Sequence, residues 1–304
     1  MSIDKLLLVH KGALGDFFLA WPAFLAVAQG FTNTALLWHG RSEFLPWLAP
    51  LGFKGCPPQI RTALDRMYSA EKIPEGLENC RILWFGVDKK TVEVRDQRLS
   101  FVRAVRGGRE HVREAYQKQL ADLGLGWPEQ WERMWKGCFG RSGSGCGRVV
   151  LFPGSGHPAK NWPRVKFFEL AAGLEEIGLK PVFVLGPAER GFVPCRFEVL
   201  TPRDVQELSR VVLAADAAVG NDCGPMHLAG NFRVPGVEIF GPTDARQWAA
   251  RGMIPIASPV QCAPCSQTAR IECKDPVCMQ KIRVSAVFDA LRSIHIANQG
   301  SSGK

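Results

Sequence analysis

Short apolar runs recur along the chain, each closed by a glycine- or proline-rich turn and followed by a helical pattern. In the first half they cover Leu6 to His10, Ala35 to Trp38 and Arg81 to Phe85. In the second they cover Arg148 to Phe152, Pro181 to Leu185, Ala217 to Val219 and Gly236 to Phe240. This alternation predicts βα units and parallel sheets, an α/β chain. Between the two sets, the small residues from Gly140 to Gly147 suit a flexible connection. With 304 residues the chain has the length of two domains. We expect a first domain over 1–140, a linker over 141–147 and a second domain over 148–304.

The turns after these runs hold the polar chemistry. Gly12-Ala-Leu-Gly15-Asp16 follows the first run and precedes an apolar stretch, Phe17 to Ala28, that predicts a helix. That stretch has the length of a signal-peptide core, but Lys11, Gly12, Gly15 and Asp16 separate it from the preceding run as a turn would. No uninterrupted apolar segment approaches the roughly 20 residues that span a bilayer. A cytoplasmic protein, with at most peripheral contact to the inner membrane, is expected. In the second half, Pro153-Gly-Ser155-Gly-His-Pro-Ala-Lys160-Asn161-Trp162-Pro163 leads into a helix, with Asn161 or Trp162 as cap and Pro163 as its first residue. Gly220-Asn-Asp222-Cys223-Gly224-Pro225-Met226-His227 is a second strand-to-helix turn. Ligands of open α/β sheets bind at this carboxyl edge, where backbone N–H groups and helix starts attract phosphates.

Composition adds charge to this picture. The formal net charge of +9 suggests anionic partners such as phosphates, acidic sugars, anionic lipid or nucleic acid. The densest basic run is Arg95, Arg98, Arg103, Arg106, Arg109 and Arg113. Few aromatics interleave with it and no nucleic-acid module surrounds it, so no nucleic-acid partner is expected. The run is either a solvated face or an entry for an anionic substrate; Gly107-Gly108 breaks any helix through it, leaving a basic loop before a helix that begins near Glu110. Six of the ten cysteines are dispersed, as reduced thiols would be in a chain of this size. The other four, Cys262, Cys265, Cys273 and Cys278, cluster as CxxC with gaps of seven and four, close to a structural metal site. Bound zinc or an iron–sulfur cluster and free thiols or disulfides remain alternatives.

Asp16, at the start of a helix, suits a general base, or a first-turn acid stabilised by the helix dipole. Lys160, in a glycine-rich turn with Ser155 and backbone amides, suits a diphosphate. The turn is not a P-loop, and no GxGxxG follows the first run, which argues against NTPase and dehydrogenase chemistry. Asp222, beside the same phosphates, suits the orientation of the Gly224-Pro225 turn or a sugar hydroxyl. His227 is either a catalyst or an ordinary helical histidine.

Taken in order, Gly12-Ala-Leu-Gly15-Asp16 with Pro22, Pro153-Gly-Ser155 with Lys160-Asn-Trp162-Pro163, Leu185-Gly-Pro-Ala-Glu189, the turn Gly220 to Ala229, Phe240-Gly-Pro-Thr243-Asp244 and the terminal cysteines resemble glycosyltransferase family 9, the ADP-heptose:lipopolysaccharide heptosyltransferases. The resemblance implies a GT-B fold, two Rossmann-like domains facing across a cleft, with a nucleotide-sugar donor on the second and an anionic glycan or glycolipid acceptor on the first. It implies an inverting transfer of a heptose-like sugar to a lipopolysaccharide core or related glycan. By the family pattern Asp16 is the base, Lys160 contacts donor phosphate, and Glu189 contacts the ribose. Asp222, Cys223, Gly224, Pro225, Met226 and His227 close around diphosphate and sugar. The chain has no DxD motif, so no cofactor is expected for catalysis. Arg106 and Arg109 are the expected acceptor contacts. Cys223 departs from the family's Ser or Thr, and the first half beyond residue 30 matches poorly, apart from His111 to Gly124. A non-catalytic sugar-nucleotide binding protein is the alternative; Asp16 and Lys160 together favour an enzyme, since a binding module needs no base.

Overall fold

Leu6, Leu7, Leu8 and Val9 leave no side chain in water, because their strand is central and covered on both faces. In the computed structural model, which describes residues 3–87, 92–140, 145–186, 189, 196–268 and 270–301, this strand is β1 (Lys5–His10). It pairs with β2 (Ala35–Gly40) and β4 (Cys80–Gly86), placing Leu7 beside both Leu37 and Ile82. The short β3 (Lys54–Gly55) and β5 (Leu99–Arg103) form the edges of a five-stranded parallel sheet, order β3-β2-β1-β4-β5. One face is covered by α2 (Pro58–Arg66), whose Ile60, Ala63 and Leu64 meet Leu7, Val9 and Trp84. The other is covered by α1 (Leu14–Gly30) and α3 (Val112–Asp122), with Phe85 of β4 stacked edge-on between Phe24 and Tyr116.

The α1 helix is buried continuously from Phe17 to Val27, which is why its sequence is apolar all round. Pro22 lies inside it and has no N–H to offer the carbonyl of Phe18. Arg113 of α3 fills that gap: its guanidinium donates to the carbonyls of Leu19 and Phe18, at 3.3 and 3.5 Å, and lies 4.6 Å from the Trp131 ring. The last member of the basic run is therefore a structural arginine.

The chain divides into two units, residues 1–131 and 132–304. The second unit begins in α4 (Trp131–Phe139), whose Trp135 packs on Phe232 at 5.4 Å. Residues 141–144 of the expected linker lie outside the described residues. Six parallel strands follow: β6 (Arg148–Phe152), β7 (Lys180–Val184), β8 (Glu198–Leu200), β9 (Ala217–Asn221), β10 (Gly236–Phe240) and β11 (Met253–Ala257), in the order β11-β10-β9-β6-β7-β8. Counted within the unit this is the doubly wound order 3-2-1-4-5-6. Phe167, Leu170 and Leu174 of α5 (Arg164–Glu176) and Val287 and Leu291 of α10 (Val284–Ser301) bury one face against Leu151, Phe183, Val237 and Ile239. Pro163 is the cap of α5, one position before the first helical residue expected for it. α6 (Val205–Leu213) and α7 (Gly224–Asn231) pack on each other in this unit. A short α8 (Ala245–Trp248) and α9 (Val277–Lys281) complete it. Among the described residues no helix is long and apolar enough to cross a membrane.

Each sheet reverses its strand order at one place, between β1 and β4 in the first and between β6 and β9 in the second. Ligand sites of open α/β sheets form at such reversals, outside the carboxyl ends of the strands. The turn bearing Asp16 leaves β1; the turns bearing Lys160 and Asp222 leave β6 and β9.

Candidate active site

In the first unit, Asp16 stands in the first turn of α1, half-buried, and its Oδ2 accepts the backbone N–H of Ala13 at 3.0 Å. The carboxylate thus satisfies an orphan amide of the helix start while favouring the positive end of the dipole. Gly12 makes this possible: a Cβ there would stand 2.9 Å from both Asp16 Oδ2 and His10 Cε1. His10 is buried, and burial lowers its pKa to about 4, so a neutral imidazole lies beside the carboxylate. Tyr116 is raised above the ordinary phenol range by burial and then by the charge of Asp16, so it too stays neutral.

In the second unit two turns are tied together by a residue the sequence reading left without a role. Asn221, the last residue of β9, donates to the Pro153 carbonyl at 2.8 Å and accepts the Trp162 backbone N–H at 2.9 Å. One buried side chain therefore fixes both ends of the 153–162 turn. Ser155 serves the same turn, donating to the His157 carbonyl and lying 2.6 Å from Asn161 Oδ1. The Lys160 ammonium, at the end of a single 3-10 turn (Pro158–Lys160), lies 2.7 Å from Asp222 Oδ2, with side-chain exposures of 12% and 8%. Thr243 donates to the same oxygen at 2.7 Å. Burial pushes the Asp222 carboxyl upward, but the Lys160 charge, the bonds from Lys160 and Thr243 and the nearby His227 outweigh it and hold it below the usual range. The structure thus gives the expected phosphate cation a resting partner of its own.

Cys223 caps α7 without a side-chain bond to the helix, and burial holds its thiol neutral. Pro225 occupies the first turn, where its missing N–H costs nothing. Met226 packs where a side chain on Gly220 would be, and His227 is buried on α7. Glu189 accepts the Gly186 N–H at 2.6 Å, and its carboxylate fills the space over Gly154, where a Cβ would fall 1.6 Å from Oε1. Pro187 and Ala188 of its motif lie outside the described residues. The structure therefore gathers Ser155, Lys160, Glu189 and the 222–227 turn at the carboxyl edge of one sheet. Sequence reading missed Glu238 of β10, fully buried near Asp222 and His227; a lone acid inside the apolar run Gly236 to Phe240 was its signal.

The four clustered cysteines line one cavity of about 20 Å³ together with Ala159, the neighbour of Lys160, and Pro242. Cys278 is buried and the other three are exposed. Burial raises the Cys265 and Cys278 thiols, and the charges of the other cluster members raise them further. Four thiols are the soft donor type that zinc or iron takes, but among the described residues no three of these sulfurs come within 4.8 Å of one another, so holding one ion requires the loop to draw them together. Of the basic run, Arg106 and Arg109 are exposed in the loop after β5, where Gly107 adopts a positive φ of 90°. Arg98 is held by Asp96, and α3 starts at Val112 behind a His111 cap.

The sequence profile described as glycosyltransferase family 9 (heptosyltransferase) matches residues 113–280, more than half of the chain. The chain belongs to this family. A curated relative, lipooligosaccharide heptosyltransferase 2 of Campylobacter jejuni, is 24% identical over 150 residues, 45% of this chain and 47% of that protein. The chain thus matches about half the length of that relative. Among solved structures, a family 9 glycosyltransferase from Veillonella parvula superposes with a TM-score of 0.69 at 14% identity, covering 98% of both chains. The iron-containing dodecameric glycosyltransferase TibC of enterotoxigenic E. coli superposes with 0.64 at 17% identity, over 98% of this chain and 78% of that one. The two parallel sheets are those of the GT-B-like family fold.

Proposed function

We propose that this family 9 protein transfers a heptose-like sugar, with inversion, from a nucleoside diphosphate donor, ADP-heptose, to a lipopolysaccharide core or related anionic glycan. The observation that carries the reading is the half-buried Lys160 ammonium at the strand-order reversal of the second sheet, inside a turn clamped by Asn221. Solved family structures support the donor class: E. coli heptosyltransferase WaaC is described with ADP, and TibC in complex with ADP-D-beta-D-heptose.

In this reading Asp16 takes the proton of the acceptor hydroxyl as its oxygen attacks the anomeric carbon. The bond to the diphosphate breaks on the opposite face, and Lys160, Ser155 and the amides of the Asp222–His227 turn stabilise the charge that develops there. Glu189 receives the ribose hydroxyls, and Arg106 and Arg109 meet the acceptor's anionic groups. Catalysis needs no cofactor. Cys262, Cys265, Cys273 and Cys278 hold a structural zinc ion or iron–sulfur cluster, whose part is to brace the loop that shares a cavity with Ala159. Residues 1–140 form the acceptor side and 148–304 the donor side, in a cytoplasmic protein peripheral to the inner membrane.

Thermal melting with ADP, UDP and GDP, followed by a transfer assay with ADP-heptose, tests this. ADP and ADP-heptose should raise the melting temperature selectively. Equal stabilisation by all three nucleotides, or by none, would overturn the donor assignment.

A further inference from the structure

β10 is an apolar strand with one acid at its centre. Glu238 has no exposed surface; its Oε2 accepts the Ala250 N–H at 2.7 Å, while Oε1 is buried without a hydrogen-bond partner among the described residues. One carboxylate oxygen of Glu238, one of Asp222 and an imidazole nitrogen of His227 all lie within 4.8 Å of one another. The groups facing Glu238 are Asp222 from the β9–α7 turn, His227 from α7, the Cys223 thiol at the α7 cap and Lys160 from the β6 turn. Lys160 lies 2.7 Å from Asp222.

Two acids thus share one ammonium in a largely enclosed place, and like charges so close cannot both ionise without cost. Asp222 already has Lys160 and Thr243 as donors. The proton is left to Glu238. Burial and the charge of Asp222 both raise the Glu238 carboxyl well above its ordinary range, against the smaller pull of the Ala250 N–H and Lys160.

We propose that Glu238 is a positioning residue of the diphosphate site, whose carboxylic proton becomes the hydrogen-bond donor to Asp222 when Lys160 turns from Asp222 to the donor's diphosphate. This rests on the reading of Lys160 as the diphosphate contact. A buried carboxylate stripped of its ammonium partner opposes that release, because a poorly compensated charge is left behind. The acid of Glu238 lies within 4.8 Å, a separation that a change of side-chain torsion closes. Its O–H bond stays intact and its hydrogen, on the oxygen that has no partner here, gains Asp222 as acceptor, so no proton enters or leaves the group. Ionised Glu238 would do the reverse, adding a second carboxylate that holds Lys160 in place.

The test is ADP affinity by calorimetry on the full chain from about pH 6 to about pH 10, for wild type, Glu238→Gln and Glu238→Leu. Wild type should lose affinity toward the alkaline end as Glu238 ionises. Glu238→Gln keeps a neutral donor that does not ionise, and should hold its affinity where wild type has lost about tenfold. Glu238→Leu should bind ADP about tenfold more weakly at neutral pH, by the loss of a hydrogen bond to a charged group. An alkaline loss in Glu238→Gln equal to that of wild type would overturn the proposal, as would undiminished binding by Glu238→Leu. Should the leucine variant fail to fold, the comparison of wild type with glutamine carries the test. Lys160→Ala separates the two readings: unchanged ADP affinity there refutes Lys160 as the diphosphate contact. Weakened ADP binding in Lys160→Ala, with Glu238→Gln tracking wild type, refutes only the role of Glu238.

Discussion

The carboxylate of Asp16 serves the start of α1, and in the proposed mechanism the same group is the base. Its Oδ2 is engaged by the Ala13 N–H, and Gly12 leaves the space for it to fold back. Asn keeps an acceptor oxygen for that amide and loses the basicity. Asp16→Asn should therefore melt close to wild type and bind ADP equally well, yet turn over about 10²- to 10⁴-fold more slowly, the usual worth of a general base. Turnover near wild type in a purified sample would remove Asp16 from the chemistry. Gly154 makes the converse case. A methyl group there displaces the Glu189 carboxylate, the free end of a flexible side chain, so stability should barely change. Gly154→Ala should weaken ADP binding by about 1 kcal/mol, the value of a typical hydrogen bond, if Glu189 holds the ribose. Calorimetry that finds identical ADP affinity would argue against Glu189 as the ribose contact.

At the scale of elements, the proposed metal in the Cys262–Cys278 loop would add to the packing that orders it. Three of its four cysteines are exposed, yet all four line one cavity beside Ala159. Protein purified without chelators should carry close to one equivalent of zinc or iron-bound centre per chain, and Cys262→Ser with Cys265→Ser should lose it together with some thermal stability. Metal-free protein with unchanged melting would leave thiols or disulfides as the reading. Central elements were legible from the chain alone: β1, β6, β9 and β10 are apolar runs closed by turns, and each was located within two residues. The edge strands were not. β8 is three residues of which Glu198 and Val199 are exposed, and β11 contains Pro255, tolerated because an edge strand has N–H groups that no neighbour needs. The glycine-rich turns that carry the candidate site residues were equally legible as strand-to-helix turns. Asn221, Thr243 and Glu238 acquire their roles only when β6, β9 and β10 stand side by side, which no local pattern reports.

For the molecule as a whole, the net charge of +9 acts at long range, and the structure sorts which parts of the basic run contribute to it. Arg113 is engaged with the α1 carbonyls and Trp131, and Arg98 with Asp96. Arg106 and Arg109 remain exposed in the loop between β5 and α3, where no ion pair among the described residues holds them. Charges so placed act through solvent, over a distance set by a Debye length of about 10 Å at 0.1 M salt. If this loop attracts an anionic acceptor, Arg106→Glu with Arg109→Glu should raise the acceptor KM most at low ionic strength. The variant should also flatten the salt dependence of kcat/KM while leaving ADP affinity alone. Arg113→Ala, by contrast, should lower the melting temperature, because the carbonyl that Pro22 leaves without a donor then loses its partner. Steady-state kinetics at low and high salt that coincide for wild type and the double variant would return the loop to a solvated surface. Loss of ADP binding in the double variant would instead indicate that the substitutions disturb more than acceptor encounter.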